Sequence, residues 1–315
     1  MAAVAVLVAV AVGTAGCRGS QHAGDATALP AGSGGPAAGT SEHTLTVDGR
    51  ARTYRVHVPA SVAGRTGLPV VIGLHGGGGN GAQFEQQSHL STAADSAGFV
   101  AVYPDGTGRT ELLTWNAGNC CAYARDNHVD DVKFVATMVD ALVAQFHTDP
   151  KRVYVTGFSN GAMLSYRLGC ELADRIAGIA PVSGALNVDC QPSRPLPVLI
   201  LHGTADQAVP YTGGPPTKDM PAAGTWDNRP VSYAVSFWTG QDQCPATPTQ
   251  SRDGSVVRVT YAPCTQGLEV TVYTIEGGGH AWPGGTKGRE QADDPAPRPD
   301  ASAVILEFFA RFPAR

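Results

Sequence analysis

The chain has 315 residues, 43% of them hydrophobic and 16% charged, enough for one large packed domain or two ordinary ones. Its formal net charge is -5, so no basic excess exists to hold a polyanion, and nucleic acid is excluded as a partner.

Residues 2–12 (AAVAVLVAVAV) form an apolar run shorter than the roughly 20 residues needed to cross a bilayer. The length suits the apolar core of an export signal. Gly13-Thr14-Ala15-Gly16-Cys17 follows, small residues ahead of a cysteine, as in a bacterial lipobox with Cys17 as the lipidation site. Thr14 stands where such motifs carry Leu, and no Lys or Arg precedes the run, which points to a start upstream of Met1. Residues 1–17 are therefore read as an export signal with a lipobox-like end. Residues 18–42, rich in Gly, Ala, Ser and Pro without periodicity, are read as a flexible linker. The expected location is secreted or extracytoplasmic, the alternatives being an N-terminal lipid anchor on Cys17 as the sole contact with a membrane and an ordinary secretory signal in which Cys17 is incidental.

Residues 43–315 are read as one folded domain. TLTVD and RTYRVHV alternate on either side of Asp48-Gly49, which predicts an N-terminal β-hairpin with order beginning near Thr44. Apolar runs then alternate with helical patterns. LPVVIGLH (68–75) precedes a helix over 82–97, FVAVYP (99–104) a helix over 130–147, and RVYVTG (152–157) a helix from Asn160 to about Ala173. IAGIAPV (176–182), LPVLILH (196–202) and LEVTVYTI (268–275) continue the strands, and a helix over 300–312 closes the domain. Continuous apolar strands separated by helices predict an α/β fold, a mostly parallel central sheet with helices on both faces. Residues 207–262 interrupt the alternation and are read as an insertion near the site, with a helix around Ser232–Trp238.

Six cysteines remain beyond Cys17, an even number that in an exported chain reads as disulfides. Cys244 and Cys264 flank a turn and a strand and form the expected pair. Spacing does not assign the adjacent Cys120 and Cys121, for which Cys170 and Cys190 are candidate partners. Zinc lacks the CxxC pair or clustered histidines it would need.

Gly157-Phe158-Ser159-Asn160-Gly161 follows an apolar strand and opens a helical pattern, the setting of a G-x-S-x-G nucleophile elbow. A strand that turns sharply into a helix leaves no room for side chains two before and two after the serine. The helix start then aims free N–H groups at a developing oxyanion. In the α/β-hydrolase fold an acid and then a histidine follow the serine, each on a loop after a strand. Asp206, in HGTAD after LPVLILH, and His280, in EGGGH after LEVTVYTI, occupy those places, ahead of Asp242 and Asp219 as competing carboxylates. Leu74-His75-Gly76-Gly77-Gly78-Gly79-Asn80 lets the backbone approach a substrate closely, so Gly76 and Gly77 with Asn160 form the candidate oxyanion hole. A phosphate loop would need a following Lys-Ser or Lys-Thr, which is absent. His75 is read as structural.

LHGGGGN, YPDGT, WNAGNCC, DDVKF, GFSNGAM, HGTADQAVPY and GGGHAWPGG, in this order, resemble the bacterial poly(3-hydroxybutyrate) depolymerase and feruloyl esterase group of carbohydrate esterase family 1. The resemblance spans about residues 43–312. It implies an α/β-hydrolase with Ser159, Asp206 and His280 as catalytic triad and Trp282 lining the substrate pocket. It further implies that Asp130 and Asp131 brace loops around the site, and that Trp115 and the Cys120-Cys121 pair lie near the cleft, where Trp115 joins Trp282 as an expected substrate-binding residue. The activity expected is ester hydrolysis through an acyl-enzyme, on feruloyl or acetyl esters of plant polysaccharide or on hydroxyalkanoate oligomers. No cofactor or metal is called for. The alternatives are acyl transfer to a cell-envelope acceptor and a non-catalytic lipoprotein that binds glycan.

Overall fold

A computed structural model describes residues 1–2, 34–218 and 226–312. Cys17, the export-signal reading, most of the linker and Asp219 lie outside the described residues. From Gly34 onward the chain builds one ten-stranded sheet. In chain order the elements are β1 (Gly39–Val47), β2 (Arg50–Val58), β3 (Leu68–Leu74), α1 (Gly81–Ser88), α2 (Leu90–Ala97), β4 (Val100–Pro104) and α3 (Ala122–Asp126). They continue with α4 (Asp131–Phe146), β5 (Thr148–Phe158), α5 (Asn160–Glu171), β6 (Gly178–Val182), β7 (Val198–Gly203) and α6 (Val231–Gln241). The last are β8 (Thr249–Asp253), β9 (Val256–Tyr261), β10 (Val270–Ile275) and α7 (Ala301–Ala310).

The strand order is β1-β2-β4-β3-β5-β6-β7-β10-β9-β8. Strands β4, β3, β5, β6, β7 and β10 run parallel, and antiparallel hairpins extend the sheet at both ends. Burial follows the sequence pattern. Every residue of β4, β6 and β7 is buried, as expected of strands covered on both faces, whereas β8 is exposed throughout. Helices α1, α2 and α7 pack together on one side, and α4 and α5 on the other. Phe309 of α7 stacks on Tyr154 of β5 with centroids 4.6 Å apart, and the Tyr154 hydroxyl donates to the Phe312 carbonyl at 2.6 Å. Each such fully buried aromatic contributes about 1.5–3 kcal/mol of transfer free energy.

Three boundaries differ from the sequence reading. Strand β1 begins at Gly39, inside the segment read as linker, because its backbone pairs in register with β2 out to Val58. The expected helix over 82–97 is two helices, broken at His89, whose φ of 56° is left-handed. Most of the supposed insertion beyond Pro230 is ordinary domain structure: α6 packs on β10, and β8 and β9 form a hairpin that continues the sheet. The residues of that segment that line the site are Ala208, Val209, Lys218 and Trp226.

Disulfides join Cys244 to Cys264 and Cys170 to Cys190, with Cα atoms 4.0 and 5.0 Å apart. Cys120 is bonded to its neighbour Cys121 instead of to Cys170 or Cys190. The reason is local: Cys170 sits in the last turn of α5, and the chain after β6 returns past that turn at Cys190.

Candidate active site

Strand β5 ends at Phe158 and α5 begins at Asn160, so Ser159 occupies the bend alone, with φ 56° and ψ -120°. Its N–H donates to the Val182 carbonyl at 3.0 Å, anchoring the bend to the neighbouring strand. A Cβ on Gly157 would lie 2.5 Å from the Gly161 carbonyl oxygen, and one on Gly161 would lie 2.5 Å from that of His75. Both glycines are therefore required by close packing, which is the reason for the motif's spacing.

Strands β7 and β10 are parallel neighbours, paired from Val198 with Val270 to Gly203 with Ile275. The turns beyond their ends carry Asp206 and His280 to the same sheet edge as Ser159. His280 Nε2 lies 2.8 Å from Ser159 Oγ, and His280 Nδ1 lies 2.7 Å from Asp206 Oδ2. The other Asp206 oxygen accepts the N–H groups of Ala208 and Val209 at 2.9 and 2.8 Å. Buried His202 adds a further contact, its Nε2 standing 3.3 Å from Asp206 Oδ2 while donating to the Val209 carbonyl. Burial pushes the Asp206 carboxyl up, but the charge of His280 and the hydrogen bonds from His202 and His280 outweigh it. The group is held well below the usual carboxylate range. A second carboxylate holds the histidine's backbone: Asp293 Oδ2 accepts the His280 N–H at 2.7 Å, and its Oδ1 pairs with Lys218 at 3.0 Å.

The glycine loop after β3 lies against the elbow. A Cβ on Gly76 would meet the Phe158 ring at 2.9 Å, and one on Gly77 would meet Asn160 Cβ at 3.6 Å. The Asn160 N–H is in the first turn of α5, where no intrahelical acceptor exists. The Asn160 side chain is buried and clamps the loop opposite. Its Oδ1 accepts the Trp115 N–H at 2.7 Å and its Nδ2 donates to the Trp115 carbonyl at 3.1 Å. His75 is structural, as expected. Its Nε2 accepts the Gly106 N–H at 2.9 Å, so Nδ1 carries the hydrogen given to the Gly76 carbonyl. Burial lowers its pKa to about 4, which keeps the ring neutral.

A cleft of about 920 Å³ opens over Ser159 and His280. Trp115 and Trp282, expected on its wall, are both fully buried behind it. Trp115 donates its indole N–H to the His75 carbonyl, and Trp282 donates to Ser302 Oγ and meets Phe84 edge-on at 5.1 Å. The rings that line the cleft are Phe84, Tyr123, Phe158 and Trp226, with Cys120-Cys121 beside them. Asp130 caps α4, accepting the Lys133 N–H, while buried Asp131 pairs with Arg52 at 2.7 Å and accepts the Asn116 N–H at 2.7 Å. Asp131 thereby ties β2 to the loop that carries Trp115.

The family described as Esterase PHB depolymerase matches residues 52–192, which include the glycine loop and Ser159. The Nocardia uniformis subsp. tsuyamanensis protein named "Putative esterase NocK" is 36% identical over 262 residues, 78% of this chain and 75% of the relative. The chain belongs to this esterase family. It is a carboxylic ester hydrolase of the α/β-hydrolase type. Feruloyl esterase B of Piromyces equi is 32% identical over 241 residues, 73% of this chain but 42% of that protein. The chain thus spans less than half of that relative. Among solved structures, the acetyl xylan esterase from Aspergillus awamori has a TM-score of 0.58 at 15% identity, covering 86% of this chain and 99% of that one, a likeness of fold.

The sequence reading singled out none of Trp226, Asp293 and His202. Trp226 lies in a segment without periodicity, and Asp293 and His202 act through tertiary contacts. Only His202 carried a signal, its place four residues before Asp206 in a turn off β7.

Proposed function

We propose that this chain is an exported serine ester hydrolase in which Ser159 is the nucleophile, His280 the general base and Asp206 its orienter. The observation that carries this is the unbroken hydrogen-bonded series from Ser159 Oγ through both nitrogens of His280 to Asp206, with links of 2.8 and 2.7 Å. His280 takes the Ser159 proton as Oγ attacks the ester carbonyl. The N–H groups of Gly77 and Asn160 stabilise the oxyanion, with Gly76 keeping the loop close. His280 then protonates the leaving alcohol and activates the water that releases the acid. Asp206, held ionised by its partners, fixes the ring and stabilises the imidazolium. The substrates are feruloyl or acetyl esters on polysaccharide, or hydroxyalkanoate oligomers. The aromatic lining of the cleft supports a flat or apolar acyl group.

Residues 1–17 would direct export, with Cys17 lipidated, and the catalytic domain would begin where β1 begins, at Gly39. No helix among the described residues is long and apolar enough to cross a membrane. Mass spectrometry of the mature N-terminus tests the anchor: a free α-amino group downstream of Cys17 would mean secretion without lipid.

Labelling with a fluorophosphonate tests the nucleophile. Wild-type protein should be labelled and should hydrolyse methyl ferulate, acetylated xylan or hydroxybutyrate oligomers. Ser159→Ala should abolish labelling and lower hydrolysis by on the order of 10⁴-fold or more. A variant that keeps more than a tenth of wild-type activity refutes the assignment.

A further inference from the structure

The cleft is electrically opposite to the molecule that holds it. The chain carries a net charge of -5, yet among the described residues Arg109, Arg125, Lys218, Lys287 and Arg289 line the cleft against two carboxylates, Asp126 and Asp293. Three of the five cations are already matched: Arg125 with Asp126 at 2.8 Å, Lys218 with Asp293 at 3.0 Å, and Lys287 with Asp294 at 2.8 Å. Arg109 and Arg289 have no carboxylate partner among the described residues.

Both arginines are held beside the oxyanion loop. Arg289 donates through Nη2 to the Gly78 carbonyl, one residue from Gly77, and its remaining N–H donors have no acceptor among the described residues. The Gly78 N–H in turn donates to the Leu113 carbonyl at 2.7 Å. Leu113 belongs to a short hairpin closed by the mutual hydrogen bonds of Thr107 and Thr114, both 2.9 Å, and Arg109 stands in that hairpin. Its guanidinium lies 5.9 Å from the centre of the Tyr123 ring on the cleft wall. Both arginines thus belong to segments bonded to Gly78, Arg289 through its own side chain and Arg109 through the hairpin that carries Leu113, and both line the cleft that opens over Ser159.

We infer that Arg109 and Arg289 bind a carboxylate on the substrate, so that this chain prefers esters bearing an anionic group near the scissile bond. The inference rests on the esterase reading and sharpens it to a substrate class. A guanidinium fork presents paired donors to a carboxylate, and the preference is electrostatic, so it weakens as salt rises. Two chemistries supply such a group: the free acid end of a hydroxyacid oligomer, and a uronic acid beside an esterified sugar.

The test measures binding by calorimetry on the Ser159→Ala chain, so that turnover does not enter. The ligands are the 3-hydroxybutyrate trimer and its carboxamide, and feruloyl glucuronic acid and feruloyl glucuronamide. In one pair or the other the acid should bind about tenfold tighter than the amide, the scale of one charge-assisted contact, and the pair that does so names the source. Arg289→Met or Arg109→Met should bring that ratio towards one, and Lys151→Met, a charge removed at the far end of β5, should leave it unchanged. Equal affinities in both pairs overturn the inference. So does Arg289→Met weakening acid and amide alike, because Arg289 would then only clamp the glycine loop. Wild-type chain that binds the acid selectively but hydrolyses neither ester would overturn the esterase reading and leave this one standing.

Discussion

Asp206 and Asp242 are both buried carboxylates, 4% and 0% exposed, each in the turn that follows an element of the fold. Their surroundings differ. Asp206 meets two backbone N–H groups and two imidazoles, and its carboxyl is held ionised. Asp242 accepts one weak hydrogen bond, from the Leu196 N–H at 3.3 Å, and its Oδ2 has no partner among the described residues. Burial pushes its pKa up to about 7, with only the Leu196 N–H acting against it. Burial alone therefore marks neither a catalytic acid nor a charged one. Partners aimed at the carboxylate decide its state, and only Asp206 has an imidazole that also reaches a serine.

The largest effect expected from this contrast is on activity. Asp206→Asn should lower kcat by on the order of 10²- to 10⁴-fold, because the shape stays while the charge that orients His280 is lost. If Asp242→Asn lowers kcat more than Asp206→Asn, the roles are reversed. Asp206 also links pH to stability. Its depressed pKa gives stability that is present above the unfolded value near about 4 and is lost as pH falls through the folded one.

The next effect belongs to the Asp242 turn. The Cys244–Cys264 disulfide lies beside it, and the Thr265 N–H donates to the Asp242 carbonyl at 2.8 Å. Replacing both cysteines by serine should cost about 2–5 kcal/mol in denaturant unfolding. Turnover at saturating substrate should hold, since this turn touches no cleft residue named above. Loss of activity matching that of Asp206→Asn would mean the two regions are coupled.

The smallest effect is a pH dependence of opposite sign. A carboxyl whose folded pKa lies above its unfolded value contributes most below about 4, and that contribution is lost as pH rises through about 7. Melting temperatures across this window should therefore move in favour of Asp242→Asn as pH rises, with activity within about twofold of wild type. A constant difference between the two proteins would show that Asp242 stays ionised.

The parallel strands were legible because a strand covered on both faces must be apolar throughout, as LPVLILH and FVAVYP are. The elbow was legible because its glycines answer to contacts within a few residues of Ser159 and to one neighbouring loop. The tryptophans were not. Trp115 and Trp282 look alike in sequence whether they face a cleft or a core, and what buries them is Asn160, His75, Phe84 and Ser302, all distant along the chain. The pairing of Cys170 with Cys190, the edge hairpin of β8 and β9, and the position of Asp293 against the His280 N–H have the same character.

By itself, then, the sequence determined the alternation of strand and helix and the serine's bend, because local sterics and burial constrain those residues, and it carried the candidate acid and histidine in their chain order. Tertiary structure alone decided which aromatics and cations face the cleft and which carboxylate is paired. Those outcomes depend on which distant backbone groups come within hydrogen-bonding reach, and no spacing along one chain encodes that distance.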